Sequence, residues 1–308
     1  MKKYFTTKRS LIIFAFLSCL LLLRWPAHPA EIEFPLLQSL SYFPYSDNSI
    51  LEKGTFSASL DLYHSNVYMF NHYRTMVNDF EVFSSTVGVR YGLMPGGTLE
   101  LYYRHSWIFG GILDKAIENF HSTFNLPDDN RAAYPRSSVN YWYKDYFSYT
   151  SGRNAASPLI LAFLKKLYQR SSFSLNTRLA VGLPLSNVPG LSSGKPFVTA
   201  GLVALYKKGR FSLEFSNTIT FLKKPTWLYD EDIYPRVFLS RLETTFKRFI
   251  AGFIFRTSVF KEDDIAHDGY QVYFGYKIKK FLQFIIMEDF APFDTTPDLS
   301  FLIRIKLL

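Results

Sequence analysis

From Thr55 onward apolar and polar residues take turns along most of the chain, and the period is two. In 55–64, Phe56, Ala58, Leu60 and Leu62 alternate with Ser57, Ser59, Asp61 and Tyr63. In 98–105, Leu99, Leu101 and Tyr103 alternate with Glu100, Tyr102 and Arg104. The run 173–183 sets Phe173, Leu175, Leu179 and Val181 against Asn176 and Arg178, and 211–221 sets Phe211, Leu213, Phe215 and Ile219 against Glu214, Ser216 and Thr218. Successive side chains of a strand point to opposite faces, so each run predicts a strand with one apolar and one polar face. Further runs at 80–91, 159–167, 197–206, 237–247, 249–261, 270–279, 280–289 and 299–308 bring the expected total to about twelve. Two of these, 159–167 and 280–289, are apolar on both faces for much of their length.

The links between runs also alternate. Those at 92–97, 169–172, 207–210, 247–249 and 277–280 are short, while those at 66–79, 184–195, 223–235, 262–268 and 291–297 are longer. Turns at one end and loops at the other are the rhythm of a transmembrane antiparallel β-barrel of the outer membrane. Counting 139–149 as a membrane strand would give an odd total and swap the sides of every later loop. Leaving 110–157 outside the membrane, with 140–149 as a short hairpin or strand extension, gives about twelve strands, an even number, with both termini on the periplasmic side. A soluble lipocalin-like β protein is the alternative, but so many outward apolar faces without a second layer would be costly in water. The last strand fits the membrane reading: Leu299, Phe301, Ile303, Ile305 and Leu307 alternate with Ser300, Arg304 and Lys306, although Leu308 stands where such barrels usually end on an aromatic.

One stretch has a different period. In 110–131, Ile112, Leu113, Ala116, Ile117, Phe120 and Phe124 recur at helical spacing, with Asp114, Glu118 and His121 on another face. Gly110 and Gly111 permit the opening turn and Pro127 ends the helix. The expectation is one amphipathic helix in the long outer loop, between the third and fourth strands. Folded into the barrel mouth as a lid or plug, it could bring Asp114, Glu118 and His121 to inward charges such as Arg104.

Before the strands, 1–30 read as a secretory signal peptide: Lys2, Lys3, Lys8 and Arg9, an apolar core at 11–23, then small residues at 27–30. A lipoprotein signal through Cys19 is the rival, disfavoured because the apolar core continues past that residue. The segment 31–50 reads as an extended N-terminal piece docking on or inside the body, and 51–308 as a single barrel domain with the helix-bearing loop at 110–157. The chain carries 18% aromatic residues, the load that girdles at two membrane interfaces require. Of the formal net charge of +9, removal of Lys2, Lys3, Lys8, Arg9 and Arg24 leaves about +4, modest and spread out, which speaks against nucleic acid. Cys19 is the single cysteine, so a mature chain has no disulfide and no thiolate chemistry.

The inward faces carry Asp61, Arg90, Glu100, Arg104, Arg178, Glu214, Arg241, Glu243 and Arg256 as expected lumen-lining residues. They could line a narrow pore or pair across the lumen and hold it shut; a packed or narrow lumen is the favoured reading. No catalytic residues are assigned: His64–Ser65 and His105–Ser106 are strand neighbours that point to opposite faces, so neither forms a dyad. Glu118-x-x-His121 is half of a dimetal motif with no second half, and Asp263, Asp264, His267 and Asp268 read as a solvated acidic loop, so no metal and no cofactor is expected.

The run Gly110-Gly111-x-x-Asp114-x-x-Ile117-Glu118-x-Phe120-His121-x-x-Phe124-x-Leu126-Pro127, followed by Asn130-Arg131, resembles a proteobacterial family catalogued as domain of unknown function three-one-eight-seven, as does the earlier Pro35-Leu36-Leu37-Gln38. The chain departs from it where such proteins tend to have a Gly-Leu-Gly-Asp turn, here Ser151-Gly152-Arg153-Asn154. The resemblance implies an outer-membrane barrel without supplying a reaction. The function expected is a narrow channel, transport or envelope structural protein with a loop-helix lid. The alternatives are a lipid-active barrel enzyme of phospholipase or deacylase type, or a transporter of hydrophobic compounds. Its partners would be outer-membrane lipid, lipopolysaccharide and the barrel-assembly machinery.

Overall fold

The computed structural model describes residues 48–70, 77–124, 137–143, 145–230, 232–257, 269–289 and 299–307. Twelve long strands follow one another: β1 (Phe56–Phe70), β2 (Val77–Met94), β3 (Gly97–Phe109), β7 (Leu159–Arg170), β8 (Phe173–Leu183), β9 (Phe197–Lys208), β10 (Phe211–Phe221), β11 (Arg236–Phe246), β12 (Phe249–Arg256), β13 (Gly269–Lys279), β14 (Leu282–Asp289) and β15 (Leu299–Lys306). Between β3 and β7 lie a helix α1 (Asp114–Phe124), a small hairpin of β4 (Tyr141–Tyr143) and β5 (Phe147–Tyr149), and a short β6 (Arg153–Ala156). Every long strand pairs antiparallel with its neighbours in sequence, and β1 pairs with β15, so the sheet closes into a barrel. β6 belongs to the same wall position as β7: it pairs with β3 at 105–108, and β7 takes over at 97–102. The ladder changes hands at Pro158, which has no N–H to donate.

The alternation read from the sequence becomes outside and inside. On β3 the outward Leu99, Leu101, Tyr103 and Trp107 are exposed, while Thr98, Glu100, Tyr102, Arg104 and Ile108 are buried. Around the turn end stands a girdle of outward aromatics, among them Phe56, Tyr91, Tyr168, Tyr206, Phe246, Phe249 and Tyr276. Above it the outward residues are aliphatic, such as Leu161, Leu179, Leu202, Leu242 and Ile303. From Phe211 to Phe221 the strand covers 11 residues. At about 3.3 Å per residue and a tilt of about 40°, that is about 25 Å of height, the thickness of an outer-membrane apolar band.

β1 and β2 run further than their periodicity predicts. The link expected at 66–79 is mostly ladder, from Asn66 opposite Glu81 to Phe70 opposite Val77. There the alternation fades because both faces are covered. Val67, Phe80 and Val82 pack inward, and Asn66 and Glu81, which belong to the outward set, are buried as well.

Candidate functional site: the barrel interior and its cap

All nine charged residues expected to line the lumen sit on the inward set of their strands, with Glu214 and Glu243 partly accessible and the other seven buried. Their bonds run along the wall. Arg304 on β15 grips the carboxylate of Asp61 on β1 with two bonds, Nε to Oδ1 at 2.7 Å and a terminal nitrogen to Oδ2 at 2.5 Å. Glu100 on β3 takes Arg90 Nε at 2.9 Å and, over β7, an Arg178 terminal nitrogen at 3.0 Å. Arg241 pairs with Glu214 across β10 and β11. Tyr273 on β13 reaches over β12 to donate to Glu243 on β11 at 2.9 Å. Arg104 donates to Ser84 at 2.8 Å and to Ser106 at 3.3 Å, with its guanidinium 5.1 Å from the centre of the Tyr63 ring. Arg256 is buried at the outer end of β12. A buried charge without a partner would cost several kcal/mol, so these pairs are what lets a polar interior exist.

The lower lumen is crossed by residues 48–51. The Asn48 side-chain amide donates to Glu214 on β10, and the Asn48 carbonyl accepts from Asn176 on β8 at 3.2 Å. The Ser49 carbonyl accepts from Arg90 on β2, and Leu51 N–H donates to Thr98 on β3 at 2.9 Å. This strap leaves the wall over Gly92, where a Cβ would stand 1.8 Å from the Glu52 carbonyl oxygen. Beside it, toward β7, β8 and β9, a cavity of about 400 Å³ remains, lined by residues that include Ser49, Lys166, Ser172, Ser174, Asn176 and Lys207.

The outer mouth is crossed by aromatic side chains. Tyr141, Tyr143 and Phe147 of the β4–β5 hairpin pack with Phe80, Val82 and Ile108 on one side and with Leu191, Leu228 and Val237 on the other. β2 and β11 are six places apart around the barrel in either direction, so this apolar cluster spans the full diameter. The loops that meet the hairpin are bonded to it and to each other. Tyr141 Oη donates to the Gly190 carbonyl at 2.7 Å, Tyr149 Oη to the Pro189 carbonyl at 3.0 Å, and Trp227 Nε1 to the Ser192 carbonyl at 3.1 Å. Val188-Pro189-Gly190-Leu191 is a tight turn closed by a 3.0 Å bond from Leu191 N–H to the Val188 carbonyl. Gly190 has φ +72°, the left-handed value that a Pro-Gly type II turn requires, and the Phe147 ring lies against it. Burial raises the Tyr149 phenol above its usual value near 10, and Arg153 opposes that shift.

α1 lies elsewhere. Leu113 N–H donates to Glu81 Oε1 at 2.5 Å, and Asn66 donates to Asp114 Oδ1 at 3.3 Å. Asn66 and Glu81 belong to the outward set of β1 and β2, so the loop lies against the outside of the wall and not in the mouth. Its packed face differs from the expected one too: Ile112 is 73% exposed and Ala116 is exposed, whereas Asp114 and Ile117 are buried and Glu118 is half-buried. Asp114 is buried because it closes the loop, accepting Ser137 N–H at 2.9 Å while Ser137 Oγ donates to the Gly111 carbonyl at 2.7 Å. A Cβ on Gly110 would stand 2.0 Å from the Ser137 carbonyl oxygen, and one on Gly111 would meet the carboxylates of Asp114 and Glu81 at 2.8 Å. The Gly-Gly-x-x-Asp motif is therefore the clasp of the loop. The side chains of Phe120, His121 and Phe124, and all of Pro127, Arg131, Asp263, Asp264, His267 and Asp268, lie outside the described residues, as do 1–47. His64 Nε2 meets Glu81 at 2.5 Å and its ring faces Phe109, with no hydroxyl bonded to it among the described residues.

Several contributors were not singled out from the sequence: Arg304, Tyr273, Asn48, the hairpin aromatics and the Pro189-Gly190 turn. The dense aromatic run of 141–149 and the Pro-Gly pair were the available signals.

A closed antiparallel barrel of twelve strands, with an apolar band outside and paired charges inside, is the fold of an outer-membrane β-barrel. Among solved structures, an outer membrane channel from Pseudomonas putida F1 superposes with a TM-score of 0.54 at 11% identity, covering 86% of this chain and 100% of the other. Outer membrane protein Omp33 of Acinetobacter baumannii gives 0.40 at 8% identity, over 84% and 100%. No curated protein matches the sequence. The family model described as Protein of unknown function (DUF3187) matches residues 33–197, more than half of the chain, and the protein belongs to that family.

Proposed function

We propose that the protein is a narrow outer-membrane channel whose outer mouth is closed by the β4–β5 hairpin. The loop from Gly110 onward clasps the root of that lid from outside the wall. Residues 1–30 direct export and are removed, the long-loop end faces lipopolysaccharide, and the closing strand β15 is handed to the assembly machinery. The observation that carries the reading is the division of the interior. Below, Asp61, Glu100, Glu214 and Glu243 bind partners along the wall, and a cavity with polar lining remains beside the strap. Above, an apolar cluster crosses the whole diameter on a hairpin that is not part of the barrel ladder. A packed structural barrel has no need of a polar cavity beneath a separately built cap. Single-channel recording in planar bilayers tests this. The intact protein should be mostly closed, and deletion of 141–149 should give steady currents. No current from either form would refute the channel.

A further inference from the structure

We propose, resting on the channel reading, that the short-turn end of the barrel is a cationic vestibule that makes the passage selective for anions. Six strands descend to this end, and each makes an equivalent closing bond to the carbonyl of a turn or chain-end residue. The donors are the N–H groups of Gly92, Lys166, Lys207, Lys247, Lys277 and Lys306. Five of the six are lysines, and the sixth is the glycine over which the strap passes. Lys247 turns away, its ammonium 5.3 Å from the outward Phe246 ring. Lys166, Lys207, Lys277 and Lys306 fall on the inward set of β7, β9, β13 and β15.

Two of them line the cavity beside the strap. Lys166, which donates to Gln169 at 2.5 Å, and Lys207 share it with Ser49, Ser171, Ser172 and Ser174, and no carboxylate is among its described lining residues. Hydroxyl donors and ammonium groups without a competing carboxylate are what an anion needs for its lost water. Among the described residues the acid next to the strap, Glu52, is exposed and is followed by Lys53. Deeper in, the charges of Asp61, Glu100 and Glu214 are offset by Arg304, by Arg90 and Arg178, and by Arg241, and Glu243 accepts a hydrogen bond from Tyr273. A low-dielectric wall concentrates such a field along the passage. Two ammonium groups about 7 Å from a passing ion in watery surroundings raise its local concentration on the order of tenfold if it is an anion, and lower it as much if it is a cation.

The test compares the wild-type barrel, the 141–149 deletion and each carrying Lys166→Glu with Lys207→Glu. Both lysines stand at the rim, and electrophoresis without heating checks that the barrel is folded. Reversal potentials in a KCl gradient should show a several-fold preference for chloride that is lost or inverted by the double charge reversal. A cation preference, or a chloride preference that the reversal leaves unchanged, overturns the inference. If no form carries current, the channel reading fails by itself. The vestibule is then judged by titrating the detergent-solubilised protein with pyrophosphate. Binding weakened about tenfold in the double variant sustains it, and no binding or equal binding overturns it.

Discussion

Gly190→Ala isolates the lid. The residue holds φ +72°, and a Cβ there would lie 2.4 Å from Phe147 Cζ and 2.8 Å from Tyr141 Oη. Alanine in the left-handed region costs about 1 kcal/mol. Displacing a packed ring from its place costs about 1–3 kcal/mol. Loss of the bond from Tyr141 Oη to the Gly190 carbonyl removes about 1 kcal/mol more. All of this falls on the closed cap and none on the barrel ladder, so closure weakens by roughly 3–5 kcal/mol, at least about a hundredfold in the ratio of closed to open. Gly209→Ala is the control, because Gly209 has φ +59° in a turn at the other end with nothing within 4 Å of the added atom. Open probability in planar bilayers should rise only in Gly190→Ala, together with protease cutting of 141–149 and a red shift from Trp142 and Trp227. If the two variants behave alike, the hairpin is not held by its fit to Gly190 and the lid reasoning fails.

Asp61→Asn leaves the buried Arg304 guanidinium without its counter-charge and should cost about 3–5 kcal/mol in urea unfolding from lipid vesicles. Asp61→Leu with Arg304→Leu should recover most of that, and an Asp61→Asn barrel of wild-type stability would refute the pairing. Asp114→Ala removes the acceptor for Ser137 N–H and Asn66, and should cost the loop about 1–3 kcal/mol, seen as faster proteolysis near 115–137 with unchanged barrel unfolding. The raised Tyr149 pKa means that the neutral phenol is favoured in the folded cap. Its contribution is therefore complete below the ordinary tyrosine value near 10 and is lost as pH rises through the higher folded value. Opening should thus increase in strongly alkaline buffer, and Tyr149→Phe should open more at neutral pH while showing a smaller alkaline rise.

The wall was legible because a strand in a bilayer has one lipid face and one lumen face, and Leu99–Glu100–Leu101 writes both. Parity of the links then put 110–157 outside the membrane as an expectation, and within that segment Arg153–Ala156 extends the ladder against β3. The helix was misplaced for a physical reason: Ile112, Ala116 and Ile117 suggest an apolar face, but the loop leaves Ile112 and Ala116 exposed and buries Asp114 beside Ile117, as the acceptor for Ser137 and Asn66. Periodicity ranks a carboxylate as exposed and has no means of seeing a backbone N–H from residue 137 arriving at it. The cap was hidden similarly. Tyr141, Tyr143, Phe147 and Tyr149 fall at every second position, but Trp142 and Tyr146 blur that alternation, and the partners Leu191, Trp227 and Phe80 come from three other segments.

Glycines on the inward set let aromatic rings lie close against the wall, and on the channel reading they set the width of the passage. A Cβ on Gly88 would meet the Tyr102 ring at 2.8 Å, one on Gly182 the Phe197 ring at 2.2 Å, and one on Gly252 the Tyr273 ring at 2.1 Å. In each case an inward aromatic from the next strand lies flat on the wall over the glycine and does not stand into the passage. Gly252 does more, because only across it can Tyr273 on β13 reach Glu243 on β11. Gly252→Ala must lift the ring off the wall, break the 2.9 Å bond to Glu243 and move the phenol toward the axis, at a cost of about 1–3 kcal/mol. In the 141–149 deletion, where the cap no longer limits flow, this single methyl should lower unitary conductance while leaving unfolding cooperative. Gly252→Ala with Tyr273→Ala should restore conductance to the parent value or above. A conductance untouched by Gly252→Ala would mean that the passage does not run past Tyr273, and that the wall-hugging pairs are a way to fill the barrel and not to keep it open.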